Sequence, residues 1–514
     1  MNLVEEAWIP VVKTDGEKTK AGLCDIFLSG TAYPDLSVRA HERVALMRLL
    51  ICIAQAAING PENLCQWEKT PDLLPAKADE YLTKWQDSLN LFHPEKPFLQ
   101  IAGLELSGSS PACKMDFAMA TGNNTTLFDH RGNDDESRPL SEGQLAVNLV
   151  TFQNFSPGGL SSTVVWKNRE TKKYGVRGGP CVKGSMYHTF LKGANFAETI
   201  HLNLLTKKAV ELVFGNEGWG KPVWEMMPSG ADDGPAIANA TETYLGRLVP
   251  LSRWIKLQDQ SWMLWGDGFT YPVFPDFRCP EPSATSIEQK DNQGNPVRNL
   301  LKANHARGIW RQLAALVVKR RADSVGGALA LDNVPDNSDF DIHVCALLRK
   351  QATIEAYQES VLNIPAGMNT DVGRAAYEEE VKAAEVKAHR LEWAVVKWRQ
   401  EMDKDFADKL KEAHDKKQEK TQKRLISIAS TIATNHFWTA VEKNVPSLVA
   451  YTSSLGENDN EERKKIWRRA VHRAAREAYE LACGRESPRQ LRAFAMGLRT
   501  LEREELPETK NKEE

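Results

Sequence analysis

Between Ala366 and Val445 the chain contains no proline, and charged residues alternate densely with apolar ones. Apolar side chains recur there at Tyr377, Val381, Ala384, Ala388, Leu391, Val395, Trp398, Met402, Phe406, Leu410 and Ala413, always three or four apart. That spacing lays one apolar stripe along one helix, and at 1.5 Å per residue the stripe predicts a rod roughly 55 Å long. Three amphipathic segments follow: "KRLISIASTIATNHFWTAVEKN", "NDNEERKKIWRRAVHRAAREAYELACG" and "SPRQLRAFAMGLRTLEREE". In the last, Ser487 caps, Pro488 takes the first helical position and Gln490 sits at N3, a capping-box arrangement. Four such helices with short connections predict an antiparallel four-helix bundle over residues 366–514.

Residues 1–365 read differently, with frequent Gly and Pro, short apolar runs and many turn signals. "RAHERVALMRLLICIAQAAI", Arg39 to Ile58, predicts a helix, and "STVVW" and "AVELVF" are strand-like. There is no regular alternation of strand and helix and no repeat of 20 to 50 residues. The fold class expected is therefore α+β: a large irregular mixed α/β domain followed by the bundle.

At 514 residues the chain exceeds one ordinary core, and 41% hydrophobic with 26% charged residues describes a globular protein. The net charge of −3 means that any nucleic-acid site is a local patch. The eight cysteines are scattered without a C-x-x-C pair, which argues against a zinc ribbon and a disulfide scaffold. The opening "MNLVEEAWIPVVK" lacks the pattern of a signal peptide, and no apolar run reaches membrane-spanning length. A reducing cytoplasm, with no membrane partner, is the expected setting.

Most candidate chemistry fails on its own terms. "GNEGWGKP", Gly215 to Pro222, has P-loop spacing, but Pro222 replaces the hydroxyl residue that holds magnesium and removes an amide. The other reading is a turn-rich loop after a strand. "SDFDIHV" sets Asp339, Asp341 and His343 on one side of a strand, either as metal ligands or as an exposed polar face. His305 is isolated, and no catalytic motif with defined spacing occurs. The reading is of a protein that is not an enzyme and needs no cofactor.

Basic features are stronger. From Arg463 to Arg503 there are twelve Lys or Arg against four Glu. Arg469, Arg473 and Arg476, with Arg468 beside them, fall along one helix face. They make either a solvated bundle face or a surface for phosphates or an acidic partner. "VVKRRAD" is a smaller patch around Lys319 and Arg321. "NFSPGGLSSTVVWKNRETKKYGVRGGP" carries a Gly pair at each end and Lys167, Arg169, Lys172, Lys173 and Arg177 between. Glycine serves where backbone must approach another group, so each pair is either such an approach or part of a hairpin.

Taken in order, "MNLVEEAWIPV", "HPEKPFLQ", "TGNNTTLFDH", "SPGGL", "RGGP", "LLRKQATIE" and the closing bundle resemble the CasA family, the large subunit of the type I-E CRISPR surveillance complex Cascade. The resemblance implies that Gly158 and Gly159 enter the minor groove of the protospacer-adjacent motif, the short duplex tag beside a target. It implies that Gln351, after Arg349 and Lys350, wedges beneath that motif and starts strand separation. It also implies that the loop after Thr121 contacts the 5′ handle of the guide RNA, with either Leu127 or Phe128 as the apolar contact and Asn123, Asn124 and Asp129 around it. The implied partners are CRISPR guide RNA, double-stranded target DNA and its displaced strand, other Cascade subunits and a recruited helicase–nuclease. Two departures stand out. "QDQSWMLWGDG" lacks the family's minor-groove lysine, with Lys256 the nearest, and residues Leu160 to Tyr174 form an insert between the Gly pairs. The alternative from the residues alone is a helical scaffold that docks an acidic partner. A metal-dependent hydrolase using Asp339, Asp341 and His343 is a third.

Overall fold

The computed structural model describes the chain except residues 106–107, 118–137, 168, 171–173, 176–177, 273–280, 292, 321–324, 351–352 and 503–514. It divides into two compact units, Met1–Pro335 with Phe340–Ile364, and Asp336–Asp339 with Pro365–Glu514.

The first unit is organised on helix α1, Ala40–Ile58, where periodicity predicts it. Every residue from Ala40 to Gln55 is buried, so α1 has no solvated face and its polar side chains need internal partners. Arg43 bonds Asp35, the Leu36 carbonyl and Glu359. Gln55 donates to the carbonyls of Gly60 and Leu205 and accepts from the Tyr244 hydroxyl. Arg48, 1% exposed, donates from Nη1 to Glu281 Oε2 at 2.7 Å and from Nη2 to the Arg247 carbonyl at 2.5 Å. Arg247 completes a buried triad, its Nη2 lying 2.6 Å from Glu281 Oε1. The helix ends at Asn59 in the left-handed region, φ 47°, a common way to satisfy the last carbonyls.

Helices α2, Thr70–Trp85, and α3, Glu142–Phe155, pack against α1. Beyond α3 the chain makes an antiparallel excursion. Strand β1, Gly159–Leu160, pairs with β4, Tyr174–Gly175, and between them β2, Val165–Trp166, pairs with β3, Arg169–Glu170. Only the last two residues of "STVVW" are therefore strand. Next comes β5, Tyr187–Lys192.

"AVELVF" is not a strand but most of helix α4, Lys207–Phe214. Its β-branched content suggests a strand, yet Val210 and Val213 are buried at helical spacing and the Thr206 hydroxyl accepts from Ala209 N at 3.2 Å. Capping and tertiary burial outweigh the weak β preference of valine. Strands β6, Arg253–Leu257, and β7, Trp262–Asp267, pair antiparallel. Finally β8, Phe340–Lys350, lies between β5 and β9, Thr353–Ile364, in an antiparallel sheet packed on α1.

The second unit is helical. The long seam is two helices, α5, Asp371–Met402, and α6, Lys404–Asp415. Asp403 leaves the helical region, with φ −132° and ψ 102°, and its side chain accepts from Phe406 N at 3.1 Å. The apolar spacing runs across this break because each side keeps its own buried stripe, so a single rod is the wrong reading. Helix α7, Glu419–Glu442, is followed by α8, Val445–Ser453, which the sequence did not suggest. Helices α9, Asn460–Ala482, and α10, Pro488–Leu501, complete the unit. The capping box at Ser487 and Gln490 forms as predicted. Helix α5 packs against α7, α9 and α10, and α7 against α9.

Burial pushes the Glu281 carboxyl up, but the guanidiniums of Arg48 and Arg247 outweigh it and hold it at about 2. Glu281→Gln leaves two buried cations without their anion, so a loss of about 3–5 kcal/mol is expected, read as a lower urea midpoint. Two buried histidines also lose stabilisation on acidification, but as groups held neutral. Burial lowers His41 and His188 to about 4, below the ordinary histidine value, so each folds neutral. Their stabilisation is complete above about pH 6.5 and is lost as pH falls toward 4, by about 1.4 kcal/mol per pH unit for each ring. His41, 3% exposed, has no hydrogen-bond partner for either ring nitrogen among the described residues. His41→Phe is expected to flatten the acid slope of urea unfolding of the first unit.

Candidate nucleic-acid interface

Helix α3 starts at Ser141, whose side chain accepts from Gln144 N, and its C-terminal half is buried. The polar residues at its end are held from β6. Gln153 Nε2 donates to the Arg253 carbonyl at 2.8 Å, and Arg253 N donates back to Gln153 Oε1 at 2.9 Å. Arg253, 2% exposed, reaches the Pro157 carbonyl with Nη2 at 2.6 Å and Asp267 Oδ1 with Nη1 at 2.7 Å. The backbone is thus clamped just before Gly158, which is half-buried.

The second Gly pair closes the base of the excursion on the first. Gly179 N donates to the Ser156 carbonyl at 2.8 Å. A Cβ on Gly178 would collide with the Ser156 carbonyl and lie 3.0 Å from Gly158 N, and one on Gly179 would collide with the Asn154 carbonyl. So "RGGP" meets protein backbone, whereas Gly159 faces Gly175 in the β1–β4 ladder. Of the basic run, Lys167 is exposed at the β2–β3 turn and Arg169 pairs with Asp232 at 3.1 Å. Lys172, Lys173 and Arg177 lie outside the described residues.

The turn at Pro180–Ser185 joins this base to the end of β8. Val182 Cγ1 lies 3.1 Å from the same Cβ position of Gly178, and Arg349 Nε donates to the Val182 carbonyl at 3.1 Å. Arg349 N donates to Ser185 Oγ at 3.0 Å, and the β8–β9 register shifts between Leu348 and Arg349, the kind of bulge that re-aims a strand end. Arg349 is half-buried and Lys350 is exposed, opposite Thr353. Gln351 lies outside the described residues. The segment from Gly178 to Ser185 therefore touches Gly158 at one end and holds Arg349 at the other, each one residue ahead of Gly159 and Lys350. Lys256 sits half-buried on β6, three residues beyond Arg253. Asn123, Asn124, Leu127, Phe128 and Asp129 fall outside the described residues. On the near flank of that segment, Phe117 stacks on Phe152 of α3.

The proposed metal ligands do not converge. Asp339 accepts from Ala366 N at 2.5 Å, Asp341 accepts from Asn363 Nδ2 at 2.7 Å, and His343 Nε2 lies 2.6 Å from Glu359 Oε1. A different trio, His343, Cys345 and Glu359, brings its ligand atoms within 4.8 Å. It was missed because Glu359 comes from the neighbouring strand, opposite Cys345. Arg43 Nε already lies 2.9 Å from Glu359 Oε1, and burial pushes the Cys345 thiol far up. A cation on the carboxylate and a thiol kept protonated do not fit a metal.

Other singled-out residues also have internal tasks. Burial and bonding absorb Arg320, 4% exposed, which donates to the carbonyls of Gly327 and Ala284. Lys319 donates to the Val334 carbonyl, and His305 meets Glu355 at 3.1 Å. In the "GNEGWGKP" loop, which follows helix α4 and no strand, Lys221 N donates to Asn239 Oδ1, so that amide is committed. On α9, Arg468 binds Glu380, itself 1% exposed, at 2.6 Å, and Lys464 lies 3.5 Å from the same carboxylate. Arg469 pairs with Glu462 and Arg476 with Glu480. Arg473 is exposed and makes no ion pair among the described residues. Arg253, Val182 and Ser185 carried no signal in sequence, because each acts on a segment far along the chain.

A family model described as CRISPR-associated protein Cse1 matches residues 2–478. A protein described as CRISPR-associated protein CasA/Cse1 from Thermus thermophilus is 25% identical over 529 aligned positions, 96% of this chain and 95% of its own. The crystal structure of a T. thermophilus CasA superposes with a TM-score of 0.73 at 21% identity, covering 98% of both chains. That of Thermobifida fusca Cse1 gives 0.75 at 20%, again covering 98% of both. A chain of a CRISPR RNA-guided surveillance complex gives 0.71 at 18%, covering 98% of this chain and 99% of its own. These likenesses carry the fold.

Gly178→Ala is expected to cost about 1–3 kcal/mol by overpacking, measured as a lower urea midpoint. Gly234→Ala, where an added Cβ meets nothing within 4 Å, is expected to leave the midpoint within about 0.5 kcal/mol.

Proposed function

The chain belongs to the Cse1 family of CRISPR-associated proteins, and on that premise we propose that it is a non-catalytic recognition subunit of an RNA-guided surveillance complex. It reads a short duplex motif beside the target and helps start strand separation. The observation that supports the reading is the segment Gly178–Ser185, which lies against Gly158 and bonds Arg349 through the Val182 carbonyl and the Ser185 hydroxyl. Glycine backbone suits a narrow minor groove, whose code is degenerate, and gives loose rather than strict base readout. A side chain driven into a base step costs a few kcal/mol of unstacking, which pairing with guide RNA offsets downstream. Gln351, between Lys350 and Thr353, is the residue assigned to that wedge. Lys256 remains the candidate for a minor-groove cation, and the segment from Asn123 to Asp129 for the guide handle.

The second unit is assigned to neighbouring subunits and the displaced strand, and cleavage to a recruited helicase–nuclease. The scaffold alternative, an acidic partner on α9, is weakened because Arg468, Arg469 and Arg476 already face glutamates of this chain.

The test is duplex binding by the guide-loaded complex, with and without this subunit, on intact and randomised motifs across a salt series. Motif preference is expected to vanish without the subunit. Gly159→Asp and Gln351→Ala are each expected to weaken binding to the intact motif about tenfold, near the usual cost of one mismatched pair. Unchanged motif preference in both variants would refute the site assignment.

A further inference from the structure

Two adjoining clefts in the first unit, of about 440 and 370 Å³, share Trp85 and Glu225. Each falls within the range of small-ligand sites. Trp166 and Trp224 line the larger one at 5% and 6% exposure, and Trp85 and Trp219 stand half-buried, Trp219 beside Tyr244 and Lys207. Tyr81 fixes the shared wall, its hydroxyl accepting from Trp224 Nε1 at 2.8 Å and donating to Glu225 Oε1 at 2.5 Å.

The rim is cationic. Lys96 and Lys167 edge one cleft, Lys84 and Lys221 the other. All four are exposed, and none forms a salt bridge among the described residues. Lys84 Nζ stands 5.3 Å from the centre of the Trp85 ring. Of the acids nearby, Glu80 pairs with Lys77 at 2.8 Å, whereas Glu225 accepts from the Tyr81 hydroxyl and Asp233 Oδ2 from Ser229, bonds from neutral donors that cancel neither charge. Glu95 is the remaining rim carboxylate.

We propose that these paired clefts bind single-stranded nucleic acid, one base against Trp85 and the next toward Trp219, with the four lysines on the phosphates. Aromatic side chains among lysines that hold no salt bridge are how sequence-tolerant single-strand sites work. A proline-rich peptide would use the indoles and leave the lysines without counter-charge. Lys167 and Trp166 come from the tip of the excursion whose base carries Gly158 and Gly159. A strand released at the base would find this cationic, aromatic surface as a landing in addition to the one assigned to the second unit. That origin of the strand rests on the duplex-reading proposal; the binding chemistry of the clefts does not.

The test uses the full-length chain and a fluorescein-labelled oligothymidylate of about twelve nucleotides, followed by anisotropy from about 50 to 200 mM salt. Salt-sensitive binding is expected. Trp85→Ala should weaken it about tenfold, within the range for one stacked base, and Lys84→Glu with Lys221→Glu should weaken it and flatten the salt dependence. The lysine changes lie on the surface and keep the test valid if Trp85→Ala misfolds. No binding, equal binding by these variants, or capture of an oligoproline peptide in place of the oligonucleotide would overturn the proposal. Motif preference of the guide-loaded complex separates the two readings: it should survive Lys84→Glu with Lys221→Glu and be lost in Gly159→Asp, which should leave oligothymidylate binding intact.

Discussion

Helix α1 is buried on all sides yet carries Arg43, Arg48 and Gln55, and the arrangement of the first unit follows from satisfying them. Each polar side chain on a buried helix demands that some other segment come to it. Arg43 brings in Asp35 and the β9 residue Glu359; Gln55 brings in Leu205 and Tyr244. Arg48 brings in Glu281 and, through it, Arg247. A purely apolar helix would have packed as well but would have left those segments free to choose among many positions. Buried ion pairs contribute little net stability against apolar replacements; here they select which segments meet.

That dependence explains what could be read from the chain alone. Features set by neighbours in sequence were legible: the seam of α5, the cap of α10 at Ser487, and the helix from Ala40 to Ile58. Features set by competition between local signals were not. "AVELVF" has the residues of a strand and the cap and burial spacing of a helix, and the cap with the tertiary contacts decided. Asp403 hides in a charge-rich stretch, and only the bond from Phe406 N marks it as the start of a new helix.

The candidate site shows the same division. Glycine pairs announce close approach but not what approaches, and "RGGP" turned out to meet the carbonyls of Asn154 and Ser156. Arg349 was read as a partner of nucleic acid, yet its guanidinium holds the Val182 carbonyl and its amide holds Ser185. Those two bonds fix the strand end that carries Lys350. Likewise Arg468 spends its charge on Glu380, a buried carboxylate that sequence periodicity gave no reason to notice. Long-range partners, lying tens to hundreds of residues away, leave no local trace.

The way the excursion is closed at its foot has a consequence for how such a chain can vary. Gly178 and Gly179 lie against Asn154, Ser156 and Gly158 through main-chain atoms, with no side chain between. The foot therefore reads nothing of what lies between Leu160 and Tyr174. Further along the arm Val164 and Trp166 are buried, with Trp166 against Trp254, so exchange is cheap only at its exposed turn, where Lys167, Arg169 and Glu170 stand. That turn, pinned by buried residues on its near side and by main chain at the foot, is where this surface can change its charge without refolding the unit that bears it.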